Sequence, residues 1–245
     1  MNNKVFGLIG FPLKNSFSKD YFNKKFATLN LPYIYKNFEH STIEDITQLL
    51  KAEPNLKGLN ITIPYKEKVL KYLDEIDNAA LQIGAVNCVK ISNGKLKGYN
   101  TDVIGFSQSF VGWAEPALKN TSKALILGRG GAAKAVAFAL KQLKVECTFV
   151  SRNGSLTYNN LNEDIISSHN IIINCTPVGM YPNIDDCLNL PYNKLTTKHY
   201  CYDLIYLPEE TLFLKKAKQQ GAKTKNGLEM LHLQAEAAWN IWNEK

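Results

Sequence analysis

Ala124-Leu125-Ile126-Leu127-Gly128-Arg129-Gly130-Gly131-Ala132-Ala133 is the stretch that decides the fold. Four consecutive apolar residues fit a strand covered on both faces, the kind found in parallel sheets. They run directly into Gly128-x-Gly130-x-x-Ala133, and the spacing beyond predicts a helix over about 132–143. A strand, this spacing and then a helix together make a dinucleotide-binding fingerprint. Gly128 permits the tight turn, Gly130 lets a pyrophosphate approach the backbone, and Ala133 allows helix and strand to pack closely. The first turn of the helix then presents unpaired N–H groups and a partial positive charge to the phosphates.

The next strand, over 145–150, ends in Ser151-Arg152-Asn153. A site for the unphosphorylated dinucleotide usually places Asp or Glu here to bind the ribose diol. No carboxylate is present, and the Arg152 fork suits a 2′-phosphate, so the expected cofactor is NADP(H). Arg129, inside the glycine loop, either adds a phosphate contact or points to solvent. Further strands over 171–173 and 200–204 complete a β-α-β series, which predicts a doubly wound, Rossmann-like domain.

Before this series the chain reads as a second α/β domain. A strand over 5–9 is followed by Ser18 as a helix N-cap. The helix then carries Phe22, Phe26 and Leu29 on one face, and a second strand covers 33–38. Ser41-Thr42-Ile43-Glu44 reads as a capping box that opens a helix burying Ile43, Ile46 and Leu50. Leu59, Ile61 and Ile63 alternate as a strand, and Pro64 suits the first turn of a helix carrying Val69, Leu73 and Ile76. Residues 85–91 and 95–99, joined through Ser92-Asn93-Gly94, read as a hairpin. A helix bearing Val103, Phe106 and Phe110 leads onward. An amphipathic helix over about 227–242 closes the chain and folds back on either domain.

Composition narrows the functional classes. The 245 residues include 45% hydrophobic and 21% charged residues, ordinary for a globular protein of one or two domains. A net charge of +7 favours anionic ligands. The basic residues are scattered lysines without an arginine-rich or aromatic-basic stripe, so a nucleic-acid partner is not expected. Cys88, Cys147, Cys175, Cys187 and Cys201 show no C-x-x-C spacing and read as free thiols of a reducing compartment. His40, His169, His199 and His232 fall in no motif, and no metal is expected. No stretch approaches the ~18 apolar residues of a membrane span, and the short apolar start is a strand rather than a signal peptide. The expectation is a cytoplasmic protein, monomer or homodimer, without a membrane partner.

Seven polar segments stand at or near strand ends. They are Gly10-Phe11-Pro12 with Ser16-Phe17-Ser18; Asn60-Ile61-Thr62-Ile63-Pro64-Tyr65-Lys66; Gly84-Ala85-Val86-Asn87-Cys88; Gly98-Tyr99-Asn100-Thr101-Asp102; Asn174-Cys175-Thr176-Pro177-Val178-Gly179-Met180; Tyr202-Asp203-Leu204-Ile205-Tyr206-x-Pro208; and Asn226-Gly227-Leu228-x-Met230-Leu231-x-x-Gln234-Ala235. In this order they resemble the shikimate dehydrogenase family over about residues 5–242. The resemblance implies reversible NADPH-dependent reduction of 3-dehydroshikimate to shikimate. It implies a substrate carboxylate held by Ser16 and Ser18 near Tyr206, with Thr62, Asn87, Gln234, Lys66 and Asp102 also binding substrate. Lys66 and Asp102 would be the catalytic pair. Cofactor contacts would come from Gly128, Arg129, Gly130, Gly131, Ala132, Ser151, Arg152, Asn174, Thr176, Gly179, Met180 and Gly227.

The chemistry of the residues is compatible with that assignment. Hydride transfer to a ketone makes an alkoxide that needs a proton, which a lysine ammonium can donate, and a neighbouring carboxylate can orient the lysine. Each residue has a plainer reading as well: Lys66 as one of several solvated lysines, Asp102 and Ser18 as helix caps. The chain departs from the family pattern at Asn15 and Lys19, where His and Pro are common. It departs again at Arg129, where Ala is usual, and after Asn153, where a second arginine is often found. The expected organisation is a substrate-binding and catalytic domain over 1–101, joined by the helix 226–245, and an NADP-binding domain over 102–225.

Overall fold

Alternation along the first strand sets up the first half of the molecule. In a computed structural model that describes residues 3–13, 17–118 and 122–244, the chain forms two units, Met1–Thr101 with Ala235–Lys245 and Asp102–Gln234. The first unit contains β1 (Val5–Gly10), α1 (Phe17–Thr28), β2 (Ile34–Glu39), α2 (Ile46–Ala52), β3 (Leu56–Ile61), β4 (Glu75–Ile76), α3 (Asn78–Ile83), β5 (Cys88–Ser92) and β6 (Lys95–Tyr99). Its sheet has the order β2-β1-β3-β5-β6-β4. β1 pairs in parallel with β2 and β3, while β3, β5 and β6 are antiparallel neighbours. Because strand side chains alternate between faces, Val5 and Ile9 enter a core with Ile46, Leu59, Ile61 and Val69. Phe6 and Leu8 enter another with Phe22, Phe26 and Tyr35.

The second unit contains α4 (Asp102–Ala114), β7 (Lys123–Leu127), α5 (Gly131–Gln142), β8 (Glu146–Val150), α6 (Glu163–Ser168), β9 (Ile171–Asn174), β10 (Tyr200–Asp203), α7 (Leu212–Gln219) and β11 (Lys223–Lys225). All strand pairings are parallel, in the order β11-β10-β9-β7-β8. Ala124 and Ile126 of β7 pack with α4 and α5, and Leu125 and Leu127 pack with residues of α6 and α7. Both faces are therefore covered, as the unbroken apolar run requires. The architecture is the doubly wound, Rossmann-type sheet expected from the glycine motif. α8 (Leu228–Asn243) begins in this unit, where Met230 is buried, and ends in the first, where Ala235, Ala238, Ile241 and Trp242 are buried.

Several local expectations need correction. Ser18 is not an N-cap, because α1 already includes it. Leu29 lies beyond the end of α1 and is 49% exposed, so only Phe22 and Phe26 form its buried stripe. The apparent capping box does not start α2, which opens at Ile46 after Asp45. The Glu44 carboxylate instead reaches Tyr72 at 2.9 Å and Lys71 at 3.3 Å. Those partners, with its own backbone N–H as the largest influence, pull its pKa down to about 2. Ile46 is buried in α2 as expected, but its second buried position is Leu49, and Leu50 is half-buried. Ile63 is 66% exposed because β3 ends at Ile61 and the chain turns. The helix expected after Pro64 is only a 3-10 turn over Lys68–Tyr72. Leu73 is extended, and the following Glu75–Ile76 joins the sheet beside β6. The hairpin is present, with Asn93 and Gly94 both at positive φ (51° and 77°), the geometry a two-residue turn demands.

Candidate active site

In an open α/β sheet, ligands bind beyond the carboxyl ends of the strands where the winding direction reverses. Here that point lies between β7 and β9, from which the chain winds both ways. The glycine loop follows β7 and the Asn174–Met180 loop follows β9. The two loops touch. Cys175 N–H donates to the Leu127 carbonyl at 2.9 Å, and a side chain at Gly128 would meet Thr176 Cγ2 at 3.1 Å. Gly128 has φ +113°, which a residue with a Cβ rarely adopts. Gly130 caps α5 without a side-chain partner, and the space above its Cα is open. Ala133 is fully buried against the sheet, while Gly131 and Ala132 are half-buried at the first turn.

These features fit a dinucleotide. Orphan N–H groups of α5 face an open position, the backbone is bare at Gly130, and β8 leads into half-buried Ser151 and exposed Arg152 rather than a carboxylate. The loop after β9 is held from inside. Asn174 shows no surface. Its Nδ2 donates to Asp203 Oδ1 at 3.0 Å, and its Oδ1 accepts from Thr176 N at 2.9 Å and Thr176 Oγ1 at 2.7 Å. Asn174 therefore shapes the loop, and half-buried Thr176 and 42%-exposed Met180 are the residues it presents. Gly179, at φ +91°, makes the turn between them and is itself buried. Gly227 is explained by packing: an added Cβ would stand 2.1 Å from the Leu204 carbonyl oxygen.

In the first unit, a hydrogen-bonded frame surrounds Lys66. Thr62 N–H donates to the Ile9 carbonyl (3.0 Å) and Tyr65 N–H to the Thr62 carbonyl (2.8 Å). Tyr65 is buried, with its hydroxyl donating to the His40 carbonyl at 2.6 Å. With Tyr65 pinned inward, Thr62 and Lys66 are left half-buried. The Lys66 carbonyl accepts from Val86 N–H at 2.8 Å. The next residue, Asn87, is 3% exposed. Its Oδ1 accepts from Thr101 N at 2.6 Å and its Nδ2 donates to Thr101 Oγ1 at 3.0 Å. Asp102, next in the chain, opens α4 and is 6% exposed.

The same network extends to Ser18. Ser18 hydrogen-bonds the Tyr35 hydroxyl, which donates to Asn60 Oδ1 at 2.7 Å, and Asn60 Nδ2 reaches the Asn87 carbonyl at 3.4 Å. Burial pushes the Tyr35 hydroxyl well above the ordinary tyrosine range, which keeps it a neutral donor. Ser16 lies outside the described residues. In the second unit, Gly105 allows α8 to approach α4: a Cβ there would lie 3.0 Å from Gln234 Cβ and 2.6 Å from the Met230 carbonyl. Half-buried Gln234 is thus set beside the first turn of α4, whose first residue is Asp102. Tyr206 is half-buried after β10, and burial raises its pKa.

Sequence reasoning passed over Asp203, Asn60 and Tyr35. Asp203 and Asn60 stood inside quoted motifs, but a carboxylate or amide at a strand end reads as surface, and only tertiary burial makes them organising groups. Cys88 and Cys201 are buried thiols, and Cys147, Cys175 and Cys187 are half-buried; all five are free. Among the described residues, no three His, Cys, Asp or Glu side chains are grouped to hold a metal ion, and no helix is long and apolar enough to cross a membrane.

Residues 8–89 match the model of the shikimate dehydrogenase substrate binding domain. A shikimate dehydrogenase (NADP(+)) from Methanococcus maripaludis is 40% identical, the alignment covering 99% of this chain and 92% of the relative. The crystal structure of shikimate dehydrogenase from Aquifex aeolicus superimposes with a TM-score of 0.88 at 35% identity, covering 98% of this chain and 92% of the other. A second similar structure, a shikimate 5-dehydrogenase from Thermus thermophilus in complex with NADP(H) and shikimate, gives a TM-score of 0.84 at 29% identity, covering 98% and 93% of the two chains.

Proposed function

The chain belongs to the shikimate dehydrogenase family, and on that premise we propose that it is a cytoplasmic enzyme catalysing the reversible NADPH-dependent reduction of 3-dehydroshikimate to shikimate, a step toward chorismate and the aromatic amino acids. Residues 1–101, with the helix 226–245, form the substrate-binding and catalytic domain. Residues 102–225 form the NADP-binding domain. The enzyme acts as a monomer or homodimer on small molecules alone.

Ser16 and Ser18 bind the substrate carboxylate near Tyr206, and Thr62, Asn87 and Gln234 bind ring hydroxyls. Gly128, Gly130, Gly131, Ala132 and the first turn of α5 receive the pyrophosphate, Ser151 and Arg152 the ribose phosphate, and Thr176 and Met180 the nicotinamide side. Bound there, NADPH supplies the hydride that reduces the carbonyl carbon. The Lys66 ammonium hydrogen-bonds the carbonyl oxygen, polarises it and gives up a proton as the oxygen becomes an alkoxide. In the reverse direction neutral Lys66 takes the alcohol proton. The Asp102 carboxylate accepts a hydrogen bond from the neighbouring hydroxyl and orients the lysine.

The observation that carries this reading is the frame around Lys66. Val86 N–H holds the Lys66 carbonyl, and adjacent Asn87 holds Thr101 through its backbone N–H and its hydroxyl. Hydrogen bonds thereby tie the segment of the proposed proton donor to that of Asn87, and Asn87 to Thr101, the residue before Asp102. The test is NADP⁺ reduction by shikimate, with quinate and NAD⁺ alongside. Wild type is expected to turn over shikimate with NADP⁺ fastest, and Lys66→Ala to lose ~10²-fold or more in kcat while still binding NADP⁺. NADP⁺ binding without turnover of either substrate would overturn the reading and leave a nucleotide-binding regulator.

A further inference from the structure

The loop after β8 carries more than the sequence motif announced. Gly128 N–H donates to the Val150 carbonyl at 2.8 Å, so the glycine loop and the 151–156 loop start side by side. Ser151 N–H closes that second loop on the Leu156 carbonyl at 3.2 Å. Arg129 does not leave the surface: a Cβ placed on Gly154 would stand 3.3 Å from its Nη1 and 2.7 Å from Ser151 Oγ. The Arg129 guanidinium therefore lies on the ribose-facing loop, at Gly154. Arg152 belongs to the same loop, and its charge is felt by the Tyr158 hydroxyl, whose pKa burial otherwise raises. Both arginines are exposed, and no ion pair among the described residues engages either one. Ser151 Oγ and Tyr158 Oη are buried without a hydrogen-bond partner among the described residues, although buried hydroxyls are nearly always bonded.

One guanidinium carried by the 151–156 loop, a second lying against it at Gly154, and two unsatisfied hydroxyls match a phosphate monoester, which carries close to two negative charges and three acceptor oxygens at neutral pH. We propose that Arg129 is the second cation of the 2′-phosphate subsite and that Arg129 and Arg152 together, not Arg152 alone, set the preference of this chain for NADP over NAD. The proposal rests on the reading that the chain is an NADP-dependent dehydrogenase and refines it. An arginine in the glycine loop supplies what residues 154–156, Gly-Ser-Leu, do not.

Equilibrium binding of NADP⁺, NAD⁺ and 2′-AMP to the full chain, read by calorimetry without substrate, tests it. Arg129 is exposed and makes no core contact, so Arg129→Ala is expected to fold as wild type does. It should weaken NADP⁺ and 2′-AMP by ~10-fold or more, the effect of one charge-assisted hydrogen bond, and leave NAD⁺ within about two-fold. Arg129→Lys should recover part of the loss, and Arg129→Ala with Arg152→Ala should abolish discrimination. Equal loss for NADP⁺ and NAD⁺ would assign Arg129 to the pyrophosphate and overturn the proposal, as would NADP⁺ binding unchanged in Arg129→Ala. A wild type that binds neither dinucleotide would instead overturn the dehydrogenase reading itself.

Discussion

Asp203 is a carboxylate with no exposed surface at the end of β10. It accepts from Asn174 Nδ2 (3.0 Å), the Ile205 backbone N–H (3.0 Å) and Thr211 Oγ1 (2.6 Å). Through Asn174 it holds Thr176, and so the loop that faces the glycine turn. Burial is the dominant influence and raises its pKa to about 6, with the three donors working against it. A carboxyl with a folded pKa above its unfolded value of 3.8 contributes stability that is fully present below pH 3.8 and is lost as pH rises through about 6. Relative to Asp203→Asn, wild type is therefore expected to lose up to ~3 kcal/mol across that window. Denaturant unfolding of both proteins at pH 4 and pH 7 measures it, and a constant difference would contradict the buried-carboxyl account. Asp203→Ala should also raise KM for NADP⁺ more than it lowers kcat, since it disturbs a positioning network rather than a reacting group.

Two of the elements the sequence misjudged share a cause. The Ser41–Glu44 pattern has the chemistry of a capping box, but Lys71 and Tyr72, 27 and 28 residues away, take the Glu44 carboxylate. The apolar spacing after Pro64 looked helical until Glu75–Ile76 found a strand partner in β6. In both places a long-range partner overrode a local preference. α3 was missed despite local signals: the Asp77 side chain accepts from Ala79 N–H at 2.9 Å, and Gly84 ends the helix at φ 70°. α8 was anticipated, but the residue that anchors it was not. Trp242 lies 4.9 Å from Phe6 and 5.2 Å from Phe22 between ring centroids, and its Nε1 donates to the Val89 carbonyl at 3.1 Å. Trp242→Ala is expected to cost about 3–5 kcal/mol, seen as a lower midpoint in denaturant. Gly227→Ala, which sets a methyl 2.1 Å from the Leu204 carbonyl oxygen, must move α8 or β10 and should cost at least ~2 kcal/mol. A wild-type melting temperature for that variant would show that the close approach is not real.

At the scale of the molecule, a net charge of +7 favours anionic ligands, and the two arginines focus that bias on one loop. Screening acts within a Debye length of ~10 Å at 0.1 M salt. Raising ionic strength should therefore weaken NADP⁺ binding more steeply than NAD⁺ binding, because only NADP⁺ carries the extra phosphate. Parallel salt slopes for the two cofactors would place the decisive charge contacts at the shared pyrophosphate. The sequence by itself determined the Rossmann-type unit, because a strand buried on both faces must be apolar throughout and a glycine turn into a helix has few alternatives. It also named most of the candidate site residues, since they cluster in short motifs. Tertiary structure alone decided which of those residues face outward and which are struts. Asn174 and Gly227 serve packing and loop shape, Asp203 and Asn60 join as buried organisers, and Arg129 reaches a neighbouring loop. Those outcomes depend on partners brought together by folding, and the free energy of a buried polar group is set by those partners rather than by its neighbours in the chain.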